Sequence, residues 1–254
     1  MLSFISELRK RNSLLAMTGW LCWLGTFICM LLYQSDVTFV TGVNAWIKPI
    51  KFFASIALVS WTMAWLLHYL DAPKKVKTYS WMLVITMLIE MAIIVYQAAN
   101  GRRSHFNITT PLNSALFSIM GAAILTFTIW TGYICILFFK QKTFTISDTY
   151  VWGIRLGMLF FVIFSFEGGL MVQRMAHTVG GIDGSPGLPV FNWSREYGDL
   201  RVAHFFGMHS LQILPLMGAM FTNSVKQLFL FAVLYFILVA VFLAQALLVV
   251  PFMS

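Results

Sequence analysis

Charged residues are scarce in this chain. Asp, Glu, Lys and Arg make up 10% of its 254 residues, whereas a soluble domain is about a quarter charged. Hydrophobic residues make up 59%, and apolar runs long enough to cross a bilayer recur along the whole length. The composition predicts an all-α polytopic integral membrane protein. A single transmembrane domain is expected to take up residues 1–254, with no separate soluble domain.

Cysteine is also rare. The three cysteines, Cys22, Cys29 and Cys135, each lie within an apolar run. This placement indicates buried thiols and argues against a disulfide framework or a thiolate zinc site. A cleavable signal peptide is not expected either, because the first apolar run is long and no convincing small-residue cleavage site follows it.

Apolar periodicity predicts a bundle of seven transmembrane helices. The predicted spans cover residues 13–33, 44–70, 79–99, 111–139, 150–172, 201–221 and 227–250. Nine Lys and Arg residues fall on the side assigned to the cytoplasm, against seven on the other side. This modest excess predicts a cytoplasmic N-terminus and an outer C-terminus. The expected location is a cell membrane, with the bacterial inner membrane favoured.

Two sequence features predict how these helices pack. Gly153 and Gly157 form a small-xxx-small pair, which allows two helices to approach closely. Pro215 interrupts the sixth span and is expected to kink it.

Acidic residues are the rarest charged type, and only two of the nine fall inside predicted spans. These two are Glu90 and Glu167. An ionisable group within the bilayer costs roughly 2.5–3.5 kcal/mol on insertion scales and usually serves a function. From the helical rise, Glu90 lies roughly 12 Å and Glu167 roughly 7 Å from the outer end of its span. Together with His209, they are predicted to be the catalytic or proton-transferring groups.

Histidines cluster on the outer side. His105, His177, His204 and His209 all map to outer loops or outer halves of spans, which leaves His68 on the inner side. The four outer histidines are candidate ligands for haem b or a transition metal, or candidate proton-transfer groups. His204 and His209 are five residues apart, about 140° around a helix, so they do not form the i, i+4 zinc pair.

Basic residues on the outer side are unexpectedly common. Positive charge is disfavoured there during membrane insertion, so these residues are predicted to bind an anionic group of a substrate, lipid or cofactor. They are Lys48, Lys51, Arg102, Arg103, Arg174 and Arg201. The expected partners are the lipid bilayer, a small-molecule or lipid substrate, and an oligomer or membrane-complex subunit. No nucleic-acid partner is expected.

Familiar seven-helix families do not match these residues. A retinal protein needs a lysine in its last span, and residues 227–250 contain none. The seven-helix zinc hydrolases carry an H-x-x-x-H pair in the last span, which here lacks histidine. Cytochrome b561 proteins place haem ligands near both membrane faces, whereas the histidines here are one-sided.

Three functions remain open from the sequence. The favoured one is a metal- or haem-binding redox protein or membrane-embedded enzyme, with a His/Glu/Arg site open to the non-cytoplasmic face. The second is a transporter or proton-coupled channel, although few polar residues are expected in the inner halves of the spans. The third is a non-catalytic receptor or a subunit of a larger membrane complex, with the loop at residues 173–200 as partner surface.

Overall fold

The computed structural model describes residues 2–184 and 187–253, and this part of the chain is mostly α-helical. A 3-10 turn (Leu67–Tyr69) follows α3, and a π-helical turn (Met217–Phe221) follows α7. The all-helical prediction is confirmed. The eight α-helices of the described residues are α1 (Leu2–Arg11), α2 (Ser13–Ser35), α3 (Ile47–Leu66), α4 (Pro73–Ala99), α5 (Pro111–Lys140), α6 (Asp148–Arg174), α7 (Leu200–Leu216) and α8 (Val225–Leu247).

Six of these helices are long and apolar enough to cross a membrane, by length and composition. They are α2, α3 with its 3-10 turn, α4, α5, α6 and α8. The prediction of a multi-pass membrane protein is therefore confirmed. The remaining predicted span forms α7, which ends after 17 residues, one residue beyond Pro215. Proline removes a backbone donor, and the chain continues as the π-helical turn.

Helix α1 was not expected from the sequence, which shows only a short basic tail before the first span. Asn12 separates α1 from α2, because its backbone is extended and its side chain accepts a hydrogen bond from the Leu15 amide. This is an N-cap, which satisfies one of the donors left open at the start of a helix. The basic tail is therefore a helix of its own.

By its internal contacts the chain divides into two compact units, the first ending at Trp130 and the second beginning at Thr131, within α5. The single transmembrane domain thus stays a prediction. In the first unit, α2 packs most extensively against α3. A Cβ added at Gly19 would lie 2.1 Å from Trp61 Nε1, and one at Gly25 would lie 2.7 Å from Phe53 Cε1. The two glycines therefore let large aromatic side chains lie directly on α2.

A short hairpin connects α2 to α3. Strand β1 (Phe39–Val40) pairs antiparallel with β2 (Val43–Asn44). Thr41 and Gly42 form the turn, and both have positive φ, as a type I′ turn requires. The hairpin brings the chain into Trp46 and the first turn of α3.

In the second unit, α6 and α7 form the most extensive helix pair. A Cβ added at Gly153 would lie 2.5 Å from the Leu214 carbonyl oxygen, and one at Gly157 would lie 2.8 Å from that of Ser210. The Ser210 hydroxyl donates to the Gly157 carbonyl at 3.0 Å. The predicted close approach at the two glycines is confirmed. Helix α8 adds Ala232 and Val239 to the apolar core that α6 and α7 share.

The long loop between α6 and α7 is folded against the end of α8. Strand β3 (Thr178–Val179) pairs antiparallel with β4 (Gly198–Asp199), and both strands contact α8. A Cβ at Gly198 would overlap the carbonyl group of Ala246. The Trp193 ring meets Phe252 edge to face, with centroids 5.6 Å apart. The start of α7 and the end of α8 are thus held together.

The glycine contacts predict how α6 tolerates substitution. Gly153→Ala places a Cβ against backbone atoms of α7, so we expect it to destabilise the protein by about 1–3 kcal/mol. Gly169→Ala is the matched control on the same helix, because no described atom lies within 4 Å of its added Cβ. Thermal unfolding in detergent should show a lower Tm for the first variant alone. A Tm unchanged by Gly153→Ala would contradict the packing.

Candidate functional site

Glu90 occupies the least expected position for a carboxyl group in the first unit. It lies in α4 with 1% of its surface exposed. Neither of its carboxyl oxygens has a hydrogen-bond partner among the described residues. Lys48 is the cationic residue whose charge acts on it. Most buried polar atoms in proteins have a partner, so an exception of this kind calls for a functional explanation.

Glu90 belongs to a set of buried polar residues that we name the α4 polar column. Its members are Ser80, Thr86, Glu90 and Gln97, all buried in α4. From the helical rise, they extend along roughly 26 Å of the helix. The column therefore covers most of the thickness of a hydrocarbon core, which is about 30 Å.

One end of the column continues as a chain of hydrogen bonds. Gln97 Nε2 donates to Asn113 Oδ1 at 2.9 Å, and Asn113 Nδ2 donates to Thr109 Oγ1 at 3.0 Å. The Thr109 hydroxyl donates to Asn107 Oδ1 at 2.7 Å. Thr109 is exposed, so polar groups connect the buried column to the surface loop before α5.

The other end of the column also has a polar partner. Asn12 Nδ2 donates to Ser80 Oγ at 2.8 Å. In α3, the fully buried Ser60 hydroxyl has no partner within the described residues. The sequence predicts a polar path in the outer halves of the spans, and Ser60 and Ser80 are buried polar groups in the halves that the sequence assigns to the inner side.

His105 pairs with a lysine in the first unit. Lys48 Nζ lies 3.0 Å from His105 Nδ1, and the Ser104 hydroxyl lies 3.1 Å from the same atom. An ammonium group can only donate, so Nδ1 is an acceptor and the neutral ring carries its proton on Nε2. This tautomer leaves no ring lone pair for a metal. The sequence predicts that Lys48 binds an anionic group and that His105 binds a metal, whereas in the structure the two side chains contact each other.

In the second unit, the buried Glu167 and the partly exposed His204 form an acid–histidine pair. His204 Nδ1 lies 2.9 Å from the Phe164 carbonyl oxygen and 3.1 Å from Glu167 Oε2. A carbonyl only accepts, so Nδ1 carries the proton and Nε2 of the neutral ring keeps a lone pair. Gly168 provides space for the ring, because a Cβ there would lie 3.0 Å from His204 Cε1. Glu167 Oε1 is buried and unpartnered within the described chain.

His209 lies apart from this pair, further along α7. Its Nδ1 atom is 3.2 Å from Gln212 Oε1, and its ring meets Phe205 edge to face with centroids 4.3 Å apart. Phe205 and Gln212, which contact His209, both belong to its own helix, α7. Glu167 and His209 share no hydrogen bond among the described residues.

His177 organises the long loop together with Asp183. Asp183 Oδ2 lies 3.0 Å from His177 Nδ1, and Asp183 Oδ1 accepts the backbone amide of Thr178 at 3.0 Å. Burial acts to raise the pKa of Asp183, but the hydrogen bonds from His177 and Thr178 outweigh it. The pKa of this carboxyl therefore lies well below its usual range.

Arg201 is engaged within the chain by Asp199. The Asp199 side chain, which is fully buried, forms an ion pair with the Arg201 guanidinium. Asp199 also accepts the amides of Ser194 and Arg201, and Arg201 donates to the Asn192 carbonyl. These contacts fix the end of the loop to the start of α7. The sequence predicts that Arg201 binds an anionic ligand. In the structure, the anionic group bound to Arg201 is the Asp199 carboxylate.

The other predicted cationic residues differ in exposure. Arg102 and Arg103 lie in the surface loop after α4, Arg174 ends α6, and all three are exposed. Lys51 is half-buried in α3. A role for these residues in binding an anionic ligand stays a prediction.

The histidines do not converge on one centre. Within residues 2–184 and 187–253, no three His, Cys, Asp or Glu side chains are grouped so that they could hold a metal ion together. His105 pairs with Lys48, His177 with Asp183, His204 with Glu167 and His209 with Gln212. Each histidine therefore serves a separate local arrangement.

Comparisons with protein-family models, with curated proteins and with solved structures gave no match to the chain. The function of this protein therefore has to be inferred from its own residues.

The Asp183 contacts predict a pH dependence of the long loop. A carboxyl whose pKa is lowered by folding adds stability that is fully present above its unfolded pKa, about 3.9 for Asp. That stability is lost as the pH falls from the unfolded pKa towards the lower pKa of the folded protein. Hydrogen exchange at the amides of His177 and Thr178 should accelerate below roughly pH 4, and Asp183→Asn should weaken this response. Exchange that is independent of pH once corrected for intrinsic rates would contradict the assignment.

Proposed function

We propose that this protein is a membrane channel or transporter that conducts protons, in which Glu90 takes up and releases the transported proton. The observation that carries the proposal is the burial of Glu90 with both carboxyl oxygens unpartnered among the described residues. An ionised carboxylate in such surroundings costs several kcal/mol in lost hydration. A purely structural residue at this position would be expected to be apolar or hydrogen-bonded.

The surroundings of Glu90 support movement of a proton to it. Along α4, Glu90 lies between Ser80, which is bonded to Asn12, and Gln97, which is bonded to Asn113. Ionisable and polar residues inside membrane spans commonly mark ion or proton pathways. Lys48, near the start of α3, supplies a positive charge that acts on Glu90.

The Glu167–His204 pair is proposed as a second proton-binding group, located in the second unit. His204 is held in one orientation by the Phe164 carbonyl and Glu167, with Nε2 directed away from both. A histidine exchanges protons near neutral pH more readily than any other side chain. The side chain of His204 is 28% exposed, so solvent or a solute can reach it.

A seventh span completes the proposed topology. Helix α7 and the π-helical turn have 17 and five residues, which together rise roughly 30 Å. β4, at the start of α7, contacts α8, and a Cβ at Gly198 would overlap Ala246 near the end of α8. Helices α7 and α8 are therefore antiparallel, and α7 with its π-helical turn is about as long as α8, which has 23 residues. This supports seven crossings, which would place the two termini on opposite sides of the membrane. The excess of basic residues favours a cytoplasmic N-terminus and an outer C-terminus.

Proton flux into proteoliposomes tests the role of Glu90. With an entrapped pH-sensitive dye and a potassium diffusion potential, the wild-type protein should acidify the lumen. Glu90→Gln keeps the size of the side chain but cannot carry a proton, so flux should fall to that of protein-free liposomes. Glu90→Asp keeps a carboxyl group and should retain measurable flux.

The control is Glu196→Gln, which removes the same charge from an exposed loop position and should leave flux unchanged. Thermal unfolding of each purified variant establishes that it is folded. Wild-type flux no greater than that of empty liposomes would overturn the proposal, as would a folded Glu90→Gln variant with wild-type flux.

A second candidate function rests on the orientation of His204. A metal-binding histidine usually donates its other ring N–H to a carboxylate or a backbone carbonyl, and His204 Nδ1 is placed to do both. Haem iron needs only one or two such histidines, which fits a chain whose described histidines are dispersed. The second candidate is therefore a haem- or metal-binding redox protein.

An absorption spectrum and metal analysis of the purified protein test this second function. A haem protein should show a Soret band that His204→Ala abolishes and His68→Ala, an exposed histidine, preserves. Stoichiometric iron, copper or zinc that depends on His204 would support a metal site. A colourless and metal-free wild-type preparation rules out this candidate.

A further inference from the structure

Helix α1 is amphipathic and holds two basic side chains on its open face. Leu8 is buried, and Phe4 stacks on Trp65 with centroids 5.6 Å apart. Arg9 and Lys10 are exposed. Neither has a hydrogen-bond or ion-pair partner within the described residues.

The acidic residue of α1 is bonded to Arg11 and not to Arg9 or Lys10, although the charge of Lys10 also acts on it. Glu7 accepts a hydrogen bond from Arg11 Nε at 2.9 Å, and this bond lowers the pKa of Glu7. Arg11 also lies over the Trp65 ring at 3.8 Å and donates to the Tyr69 hydroxyl at 2.9 Å. Glu7 and Arg11 therefore form a closed pair on the side of α1 that faces α3.

Arg9 and Lys10 line a shallow surface depression, largely open to solvent, together with Ile5, Ser6 and Ser13. We refer to this depression as the cleft. Two cations and two hydroxyl groups are the side chains that bind a phosphate group. Ser13 is also the first residue of α2, where the backbone N–H groups have no partner within the helix. The cleft is thus equipped for an anion and not for a cation or an apolar ligand.

An exposed apolar stripe begins directly beside this cleft. Residues 13, 17, 20 and 24 lie within about 60° on the surface of α2. The residues that follow Ser13 on this surface are Met17, Trp20 and Leu24, which are 60%, 43% and 54% exposed. A phosphate-binding cleft that continues into a lipid-facing stripe matches the shape of a phospholipid, with its headgroup in the cleft and an acyl chain along α2.

Further positive charge surrounds the same end of the first unit. Asn12 bonds to Ser80 near the start of α4, and Arg11 bonds to Tyr69 just before it. The α1–α2 junction therefore lies beside the first turns of α4, which carry the exposed residues Lys74, Lys75 and Lys77. Basic clusters next to membrane spans attract anionic lipids.

We propose that the cleft between α1 and the first turn of α2 binds the phosphate group of an anionic phospholipid from the adjacent leaflet. Arg9 and Lys10 contact the headgroup, and Met17, Trp20 and Leu24 contact an acyl chain. This site does not depend on proton transport, and it gives the basic N-terminal residues a role beyond setting membrane orientation.

Native mass spectrometry of the delipidated full-length protein tests this site, with phosphatidylglycerol or phosphatidylcholine added as the probe. The wild-type protein should bind phosphatidylglycerol more tightly than phosphatidylcholine. The double variant Arg9→Gln/Lys10→Gln should bind phosphatidylglycerol roughly 30-fold more weakly, the product of two cation contributions of about fivefold each. The variant should fold normally, because both side chains are exposed.

The control is Lys140→Gln/Lys142→Gln, which removes the same charge from exposed positions that do not line the cleft. It should change the affinity less than about twofold, because neither lysine lines the cleft. If both double variants weakened phosphatidylglycerol binding equally, the effect would be a general attraction of the anionic lipid to positive charge. That result would overturn the proposal. Equal affinity for the two lipids would also overturn it. Displacement of the lipid by millimolar inorganic phosphate would assign the cleft to a free anion.

Discussion

The cost of removing polar groups from water is the constraint on which this structure depends. Helices hide the backbone from lipid, but every buried polar side chain still needs a partner. Ser210 finds one in the Gly157 carbonyl, Gln97 in Asn113 and Asp199 in Arg201. Glu90 finds none among the described residues. Other buried side-chain atoms without a partner among the described residues are single atoms of Ser60, Gln97 and Glu167, whereas Glu90 leaves both carboxyl oxygens unpartnered. This makes Glu90 the most informative of these exceptions.

The two units meet this constraint with different chemistry. In the first unit, aromatic rings of α3 lie on glycines of α2, and amide and hydroxyl side chains connect the α4 polar column to surface loops. In the second, glycines bring α6 and α7 into backbone contact, and the buried Asp199–Arg201 ion pair fixes the long loop. Among the described residues, each unit has one buried acid within a helix, Glu90 in the first and Glu167 in the second.

Much of the fold follows from the sequence, because hydrophobic length and helix-capping residues act locally. The predicted spans match the observed helices to within a few residues, and the Gly153–Gly157 pair marks a real helix contact. Pairings between distant residues do not follow from the sequence. His204 binds a carbonyl 40 residues away, and Asn12 binds Ser80 across 68 residues. The sequence therefore locates Glu90, Glu167 and His204 as unusual residues without giving their partners. The sequence did not predict helix α1, because its ten residues end in a basic cluster. Such a cluster is also typical of an unstructured tail that sets the orientation of the first span.

Infrared difference spectroscopy of the protein in lipid, recorded on changing the bulk pH, tests the central claim about Glu90 most directly. If Glu90 exchanges a proton with the aqueous phase, a carbonyl stretching band of a carboxylic acid should change with pH and should be absent from the same spectrum of Glu90→Gln. A spectrum in which every pH-dependent carboxyl band persists in Glu90→Gln would show that Glu90 does not exchange its proton. That result would contradict its proposed role.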